Sequence, residues 1–190
     1  MKKEDIISLP NPHLRQKSTK AKPDAQTKKL IEKMVSATLD WEDSRPHEIG
    51  AALAAVQIDT LKRVVIVRSD FDDKSSREFT VLINPQIIKR EGEIVRDHEG
   101  CLSVKDIYGL VPRHTKVKVK AIDSEGNEIR IKAEGFLARV LQHEIDHTNG
   151  TLFIDHIKKE KDAFFHLDEK GELQSLNYEK VIKTNSILWD

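Results

Sequence analysis

Residues 116–122, KVKVKAI, and residues 128–134, EIRIKAE, alternate polar and apolar side chains on either side of DSEGN. A period of two is the mark of a strand with one buried face, so the two segments are predicted to form a hairpin with a longer, glycine-containing turn. From about Gly135 the period lengthens to that of a helix, and Leu137, Val140 and Leu141 mark its buried side. Nearer the N-terminus a first amphipathic helix is predicted from about Asp24 to Thr38. Leu30, Met34 and Leu39 recur there among lysines, and Asp24, behind Pro23, is the expected N-cap. Trp41 to Glu48, WEDSRPHE, is polar and carries a proline, which predicts an exposed loop. The small apolar segment IGAALAAVQI follows. Three further strands are expected over RVVIVRSD, FTVLINPQII and GEIVRDHEG, each bounded by turn-forming or charged residues. No repeat, low-complexity tract or linker interrupts the pattern, so residues 1–190 are read as one domain.

Composition narrows the class of protein. Lysine plus arginine and aspartate plus glutamate stand at 32 each, so no overall basic charge asks for a nucleic acid or an anionic membrane as partner. The N-terminus, MKKEDIISLPNP, lacks the apolar core of a signal peptide, and no run of about 18 apolar residues occurs. A cytoplasmic protein is the expectation. The one cysteine, Cys101, excludes an internal disulfide and leaves a thiol that a reducing compartment would keep free.

The candidate chemistry lies on the second helix, which contains His143-Glu144-Ile145-Asp146-His147. Residues four apart on a helix share a face, so both imidazoles can reach one divalent ion while Glu144 reaches a water beside it. The same pattern also occurs on solvated helix faces. Here the apolar setting argues for a ligand, because two histidines, a glutamate and an aspartate on a buried helix cost much desolvation unless something pairs with them.

A third metal ligand must come from elsewhere. Phe153 stands where proteases of this type place a third histidine, and Asp155 and His156 lie eight or more residues past His147. Glu160 and Glu169 could serve in a thermolysin-like site, although KKEKDAFF around the first reads as solvent-exposed charge. Cys101, in HEGCLSV, is the better candidate, since a thiolate is a strong ligand for iron or zinc. Free cysteines also often simply pack in a core, and that reading stays open for Cys101 taken alone.

GAALAAVQ (50–57), EGCLS (99–103) and HEIDH (143–147) form an ordered set of three blocks. Together with IISLPNPHLR, the INP at 83–85 and Val111-Pro112-Arg113, this set resembles the peptide deformylases over roughly residues 5 to 156. The resemblance implies an α+β fold with antiparallel or mixed sheets packed around a central metal-binding helix. It implies a hydrolase of protein biosynthesis that removes the N-formyl group from the initiator methionine of new polypeptides and releases formate. By the same resemblance Cys101, His143 and His147 hold one divalent metal ion, Fe2+ by expectation, with Zn2+, Ni2+ or Co2+ able to substitute. Glu144 would take a proton from water and pass it to the leaving amine, while the Gln57 side chain and the Leu102 backbone N–H would donate to the formyl oxygen. Gly50, Ala51, Ala52, Phe136 and Val140 would line the substrate site, with backbone near Gly50 and Ala51 pairing with an extended peptide. Glu99 and Arg113 are a candidate buried pair bracing the cysteine loop, and Asp146 a candidate support for the ligands.

The partners implied are N-formylmethionyl nascent peptides and, for some family members, the ribosome exit region; no sequence-specific nucleic acid and no membrane is expected. Four features depart from the family pattern. Ala52 replaces the second glycine of the first block, Lys105 replaces a proline after the cysteine block, and the segment before Gly50 is longer than in compact members. From about Lys158 the tail also lacks the long basic helix that some bacterial members use at the ribosome. Two other functions compete: a zinc endopeptidase, which needs a carboxylate or histidine as third ligand, and a non-catalytic relative that only binds nascent chains.

Overall fold

A computed structural model describes residues 1–45, 48–73 and 75–189. Helix α1 spans Ala25–Asp43 and begins where Asp24 accepts a hydrogen bond from the Thr27 N–H at 2.9 Å. The sequence reading ended this helix too early. Trp41 and Glu42 belong to its last turn, and Glu42 is buried, because its carboxylate has partners inside the fold. Of the predicted loop, Pro46 and His47 lie outside the described residues.

Among the described residues seven strands form one sheet: β1 (Ala52–Ala54), β2 (Val64–Arg68), β3 (Phe79–Cys101), β4 (Val104–Ile122), β5 (Glu128–Glu134), β6 (Phe164–Leu167) and β7 (Leu173–Ser175). Their order is β1-β2-β3-β4-β6-β7, with β5 also paired to β4, and every pair of these strands is antiparallel. The predicted β4–β5 hairpin is present, in a register that sets Ile122 opposite Glu128 and Lys116 opposite Glu134. The two strands expected over 79–88 and 92–100 are instead one, β3. The register with β4 shifts between Ile83 and Gln86, Ile87 and Lys89, and Glu91 and Ile94, so irregularities bend the strand without ending it. The polar stretch between the two apolar runs reads like a turn because it occupies the exposed middle of this ribbon.

Helix α2, Gly135–Thr148, packs on one face of the sheet: Ala138, Leu141 and Ile145 meet Ala52, Ala54, Val65, Val67 and Val119. On the opposite face Met34 and Ala37 of α1 meet Leu53, Val64 and Ile66. Strand β2 is therefore covered on both sides, which explains why VVIVR is apolar almost throughout. The tail continues from α3 (Phe153–His156) into β6, β7 and the short α4 (Ser186–Trp189). It closes a further cluster in which Phe164, Ile182 and Leu188 pack with Val111 and Phe153.

Candidate active site

Strands β3 and β4 meet at a two-residue connection, Leu102 and Ser103, and Cys101 is the last residue of β3. Helix α2 crosses behind this turn and presents His143 and His147 one turn apart. The Cys101 sulfur and one nitrogen from each histidine lie within 4.8 Å of one another. Sγ is 3.3 Å from His147 Nε2. The histidine rings are 5.0 Å apart, and the Phe153 ring stacks on His143 at 6.1 Å, so the residue in the third-histidine position of proteases is an apolar brace.

The surroundings hold the cluster in one orientation. Glu99 Oε2 is 2.9 Å from His143 Nδ1, which leaves the other ring nitrogen for the cluster. The same buried carboxylate accepts from Arg113 Nε at 2.9 Å and from Arg139 Nη1 at 2.8 Å. Burial would raise the pKa of Glu99, but the hydrogen bonds from His143 and Arg113 outweigh it and hold the carboxyl far below its ordinary range. Arg113 also donates to Asp146, whose Oδ2 lies 2.7 Å from His156 Nε2. His156 thus joins the supporting network rather than the thiol cluster.

Two further groups face the same space. Glu144 is buried, and its Oε2 has no hydrogen-bond partner among the described residues. Burial raises its pKa, against the pull of His147 and His143. Burial also works against ionisation of the Cys101 thiol, yet the neighbouring His147 and His143 bring it down to about 5, so the sulfur is a thiolate at neutral pH. Gln57 sits in a single helical turn, Ala55–Ile58, directly after β1. Its Oε1 accepts from the Ala54 N–H at 2.9 Å, so its NH2 group turns toward Ser103 Oγ, 3.2 Å away, and Cys101 Sγ, 3.7 Å away. Although glutamine is usually a surface residue, this one is buried.

These groups line a cleft of about 690 Å3. Gly50, Ala51, Ala52, Gln57, Cys101, Leu102, Phe136, Val140, His143 and Glu144 all border it, and only His147 of the expected site residues lies behind its wall. Lys105 is on the rim. Glu160 is not near; it pairs with Arg96 on the surface. Gly100 is required by close approach, since a Cβ there would stand 2.7 Å from the Tyr108 ring.

Residues 3–163 match the family model of the polypeptide deformylases. The chain belongs to this family. It is 40% identical over 172 residues to the peptide deformylase of Thermomicrobium roseum, covering 88% of this chain and 93% of that one. The crystal structure of a peptide deformylase from Synechococcus elongatus in complex with actinonin superposes with a TM-score of 0.71 at 32% identity, covering 80% of this chain and 76% of that one. The peptide deformylase of Acinetobacter baumannii bound to Met-Ala-Ser gives 0.69 at 31% identity, covering 80% and 96%.

Within this deformylase frame, sequence reasoning missed Arg139. It is buried between Val140 and Ala138 and donates to Glu99 and to the carbonyls of Val111 and Val95, at 2.8–2.9 Å. A signal existed: an arginine on a helix one turn before a ligand histidine, in an otherwise apolar run, needs a buried acceptor. Glu99 pairs with Arg113 as expected and, beyond that expectation, orients His143.

Proposed function

We infer that this cleft is where the protein, a metal-dependent hydrolase, removes the N-formyl group from the initiator methionine of new polypeptides and releases formate. The observation that carries the reading is the meeting of a thiolate and two imidazoles at the wall of the cleft, beside a buried glutamate with an unpaired carboxylate oxygen, in a chain of the deformylase family. The donor set fits a divalent ion. One soft sulfur and two imidazoles suit Fe2+, Zn2+, Ni2+ or Co2+, and hold too little oxygen for Mg2+ or Ca2+. Cys101, His143 and His147 would hold the ion, and Fe2+ is the proposed physiological choice. When bound, it supplies Lewis acidity that polarises a carbonyl and lowers the pKa of water.

The chain's own groups account for the proton transfers. Glu144, which borders the cleft and whose pKa is raised by burial, takes a proton from water as the water oxygen bonds to the formyl carbon. Gln57 Nε2 and the Leu102 N–H would donate to the formyl oxygen as negative charge grows on it; one such donor contributes about 2.7–4 kcal/mol. Glu144 then returns the proton to the leaving nitrogen as the C–N bond breaks, which yields formate and a free amine.

The peptide lies along β1. Strand β1 ends the sheet order and, among the described residues, pairs only with β2. The Arg68 N–H bonds the Ala51 carbonyl at 2.8 Å, so by the two-residue period the Ala52 N–H and C=O point to the free edge. An extended substrate can pair there while its methionine side chain rests against Val140 and Phe136. The test is formate release from a formyl-Met-Ala-Ser peptide by protein purified without oxygen. Absence of formate with full metal occupancy would overturn the reading.

A further inference from the structure

The chain enters β1 through a peptide held by a buried ion pair. Glu42, in the last turn of α1, and Arg68, at the end of β2, have side chains 1% and 0% exposed. Glu42 Oε2 accepts from the Gly50 N–H at 2.8 Å and from Arg68 Nη2. Arg68 Nε donates back to the Gly50 carbonyl at 3.3 Å, its Nη1 donates to the Ser76 carbonyl, and its guanidinium lies 5.3 Å from the centre of the Phe79 ring. One acid and one base thus close a ring through both backbone groups of a single residue. There is no slack beside it, because a Cβ at Gly50 would come within 2.5 Å of Thr38 Cγ2.

As a device for stability alone this arrangement is poor. Burying two charges costs about as much as their attraction returns, and an apolar pair of similar volume often does as well. An apolar pair cannot bond the Gly50 N–H and C=O. Since Ala52 follows two residues later on the edge that faces the cleft, any drift of Gly50 moves the edge itself. The pair also engages the one backbone donor of Gly50, so a substrate carbonyl must find its N–H partner on a residue after it.

We propose that the Glu42–Arg68 pair is a positioning device that fixes the edge of β1 over the thiolate and imidazole cluster and so sets affinity for the peptide backbone beyond the formyl group. The proposal rests on the reading of the cleft as a formyl-peptide site. Its test compares kcat and KM for formyl-Met-Ala-Ser and for formylmethionine amide, which has little backbone to pair, in metal-loaded enzyme. In the double variant Glu42→Leu with Arg68→Met, KM for the tripeptide rises about tenfold, as expected for the loss of one or two strand hydrogen bonds. Turnover at saturation and KM for the amide stay near wild type. Glu42→Gln, whose amide oxygen still accepts from the Gly50 N–H, keeps a nearly normal KM. Arg68→Lys retains a cation beside Glu42 but cannot reach both Gly50 and Ser76, and it shows the same split in smaller measure.

Unmoved KM in the folded double variant, or a loss confined to kcat, overturns the proposal. Unmoved KM in Arg68→Lys does so even where the double variant does not fold. A wild-type enzyme that releases no formate overturns the reading of the cleft instead, before any variant is compared.

Discussion

Glu144 carries a carboxylate oxygen that nothing among the described residues satisfies, in a position too buried for water to be assumed at no cost. Such an atom is expected where a proton must be accepted. Glu144→Gln therefore keeps its bound metal and loses about 10²–10⁴-fold in formate release, because an amide cannot take the proton; metal analysis beside single-turnover assays checks both halves. Ala52 poses a second case, since its methyl packs against α2 and also borders the cleft, beside the edge along which the peptide is proposed to lie. Ala52→Gly is expected to change the kinetic constants for formyl peptides by more than it changes the melting temperature, with several peptide lengths as the check. Identical constants would show the methyl to be neutral. At this scale the sequence was legible where residues come in blocks: His143, His147 and Glu144 from their spacing, and Cys101 and Gln57 once three blocks were taken together. Glu42 and Arg68 were not legible, since a charged residue at a helix end or a strand end ordinarily reads as solvated, and only tertiary partners reverse that reading.

At the scale of elements, periodicity located α2, β2 and the β4–β5 hairpin, each of which has one consistent face or a covered pair of faces. It failed where a partner overrode local pattern. Helix α1 runs past Thr38 because Glu42 finds Arg68, and β3 runs through a polar stretch because β4 pairs with it across several irregularities. The tail was the least legible part, since β6 adds to β4 at Tyr108 and Gly109 with little apolar alternation of its own. What ties its end down includes Glu179, which bonds Lys161 and Lys183 at 2.8 Å each. Those two hydrogen bonds hold the Glu179 carboxyl down at about 2, against an ordinary 4.5. A depressed carboxyl adds stability that is complete above its ordinary value and is lost as pH falls through the folded one. The melting temperature of Glu179→Gln should thus lie slightly below wild type near neutral pH, and the gap should close between about pH 4.5 and 2. Added salt should narrow it as well, because the groups are exposed. A gap that persists at the acid end would assign the effect to packing.

Over the whole molecule, the sheet, α2 and the β3–β4 turn converge to place one thiolate and two imidazoles at a cleft open to substrate, and the same convergence makes the site fragile. The order of divalent affinities ranks ferrous iron among the weakest for such a donor set, so occupancy follows supply rather than preference. An iron-bearing site is exposed to oxygen at its open side, and Cys101, held as thiolate and half-buried, can be oxidised stepwise to sulfenic and sulfinic acid. The iron-loaded protein is therefore expected to be the most active form under anaerobic conditions and to decay in air in step with oxidation at Cys101, while nickel- and cobalt-loaded forms persist. Zinc should bind well and work poorly, because its preference for four ligands resists the further oxygen that a polarised formyl group would bring. Apoprotein loaded with each metal, followed for formate release and for the mass of the Cys101 peptide during exposure to air, separates these outcomes. Iron-loaded protein that keeps full activity in air, or zinc-loaded protein that matches it, would mean that the donor set does not govern the chemistry in the way its composition implies.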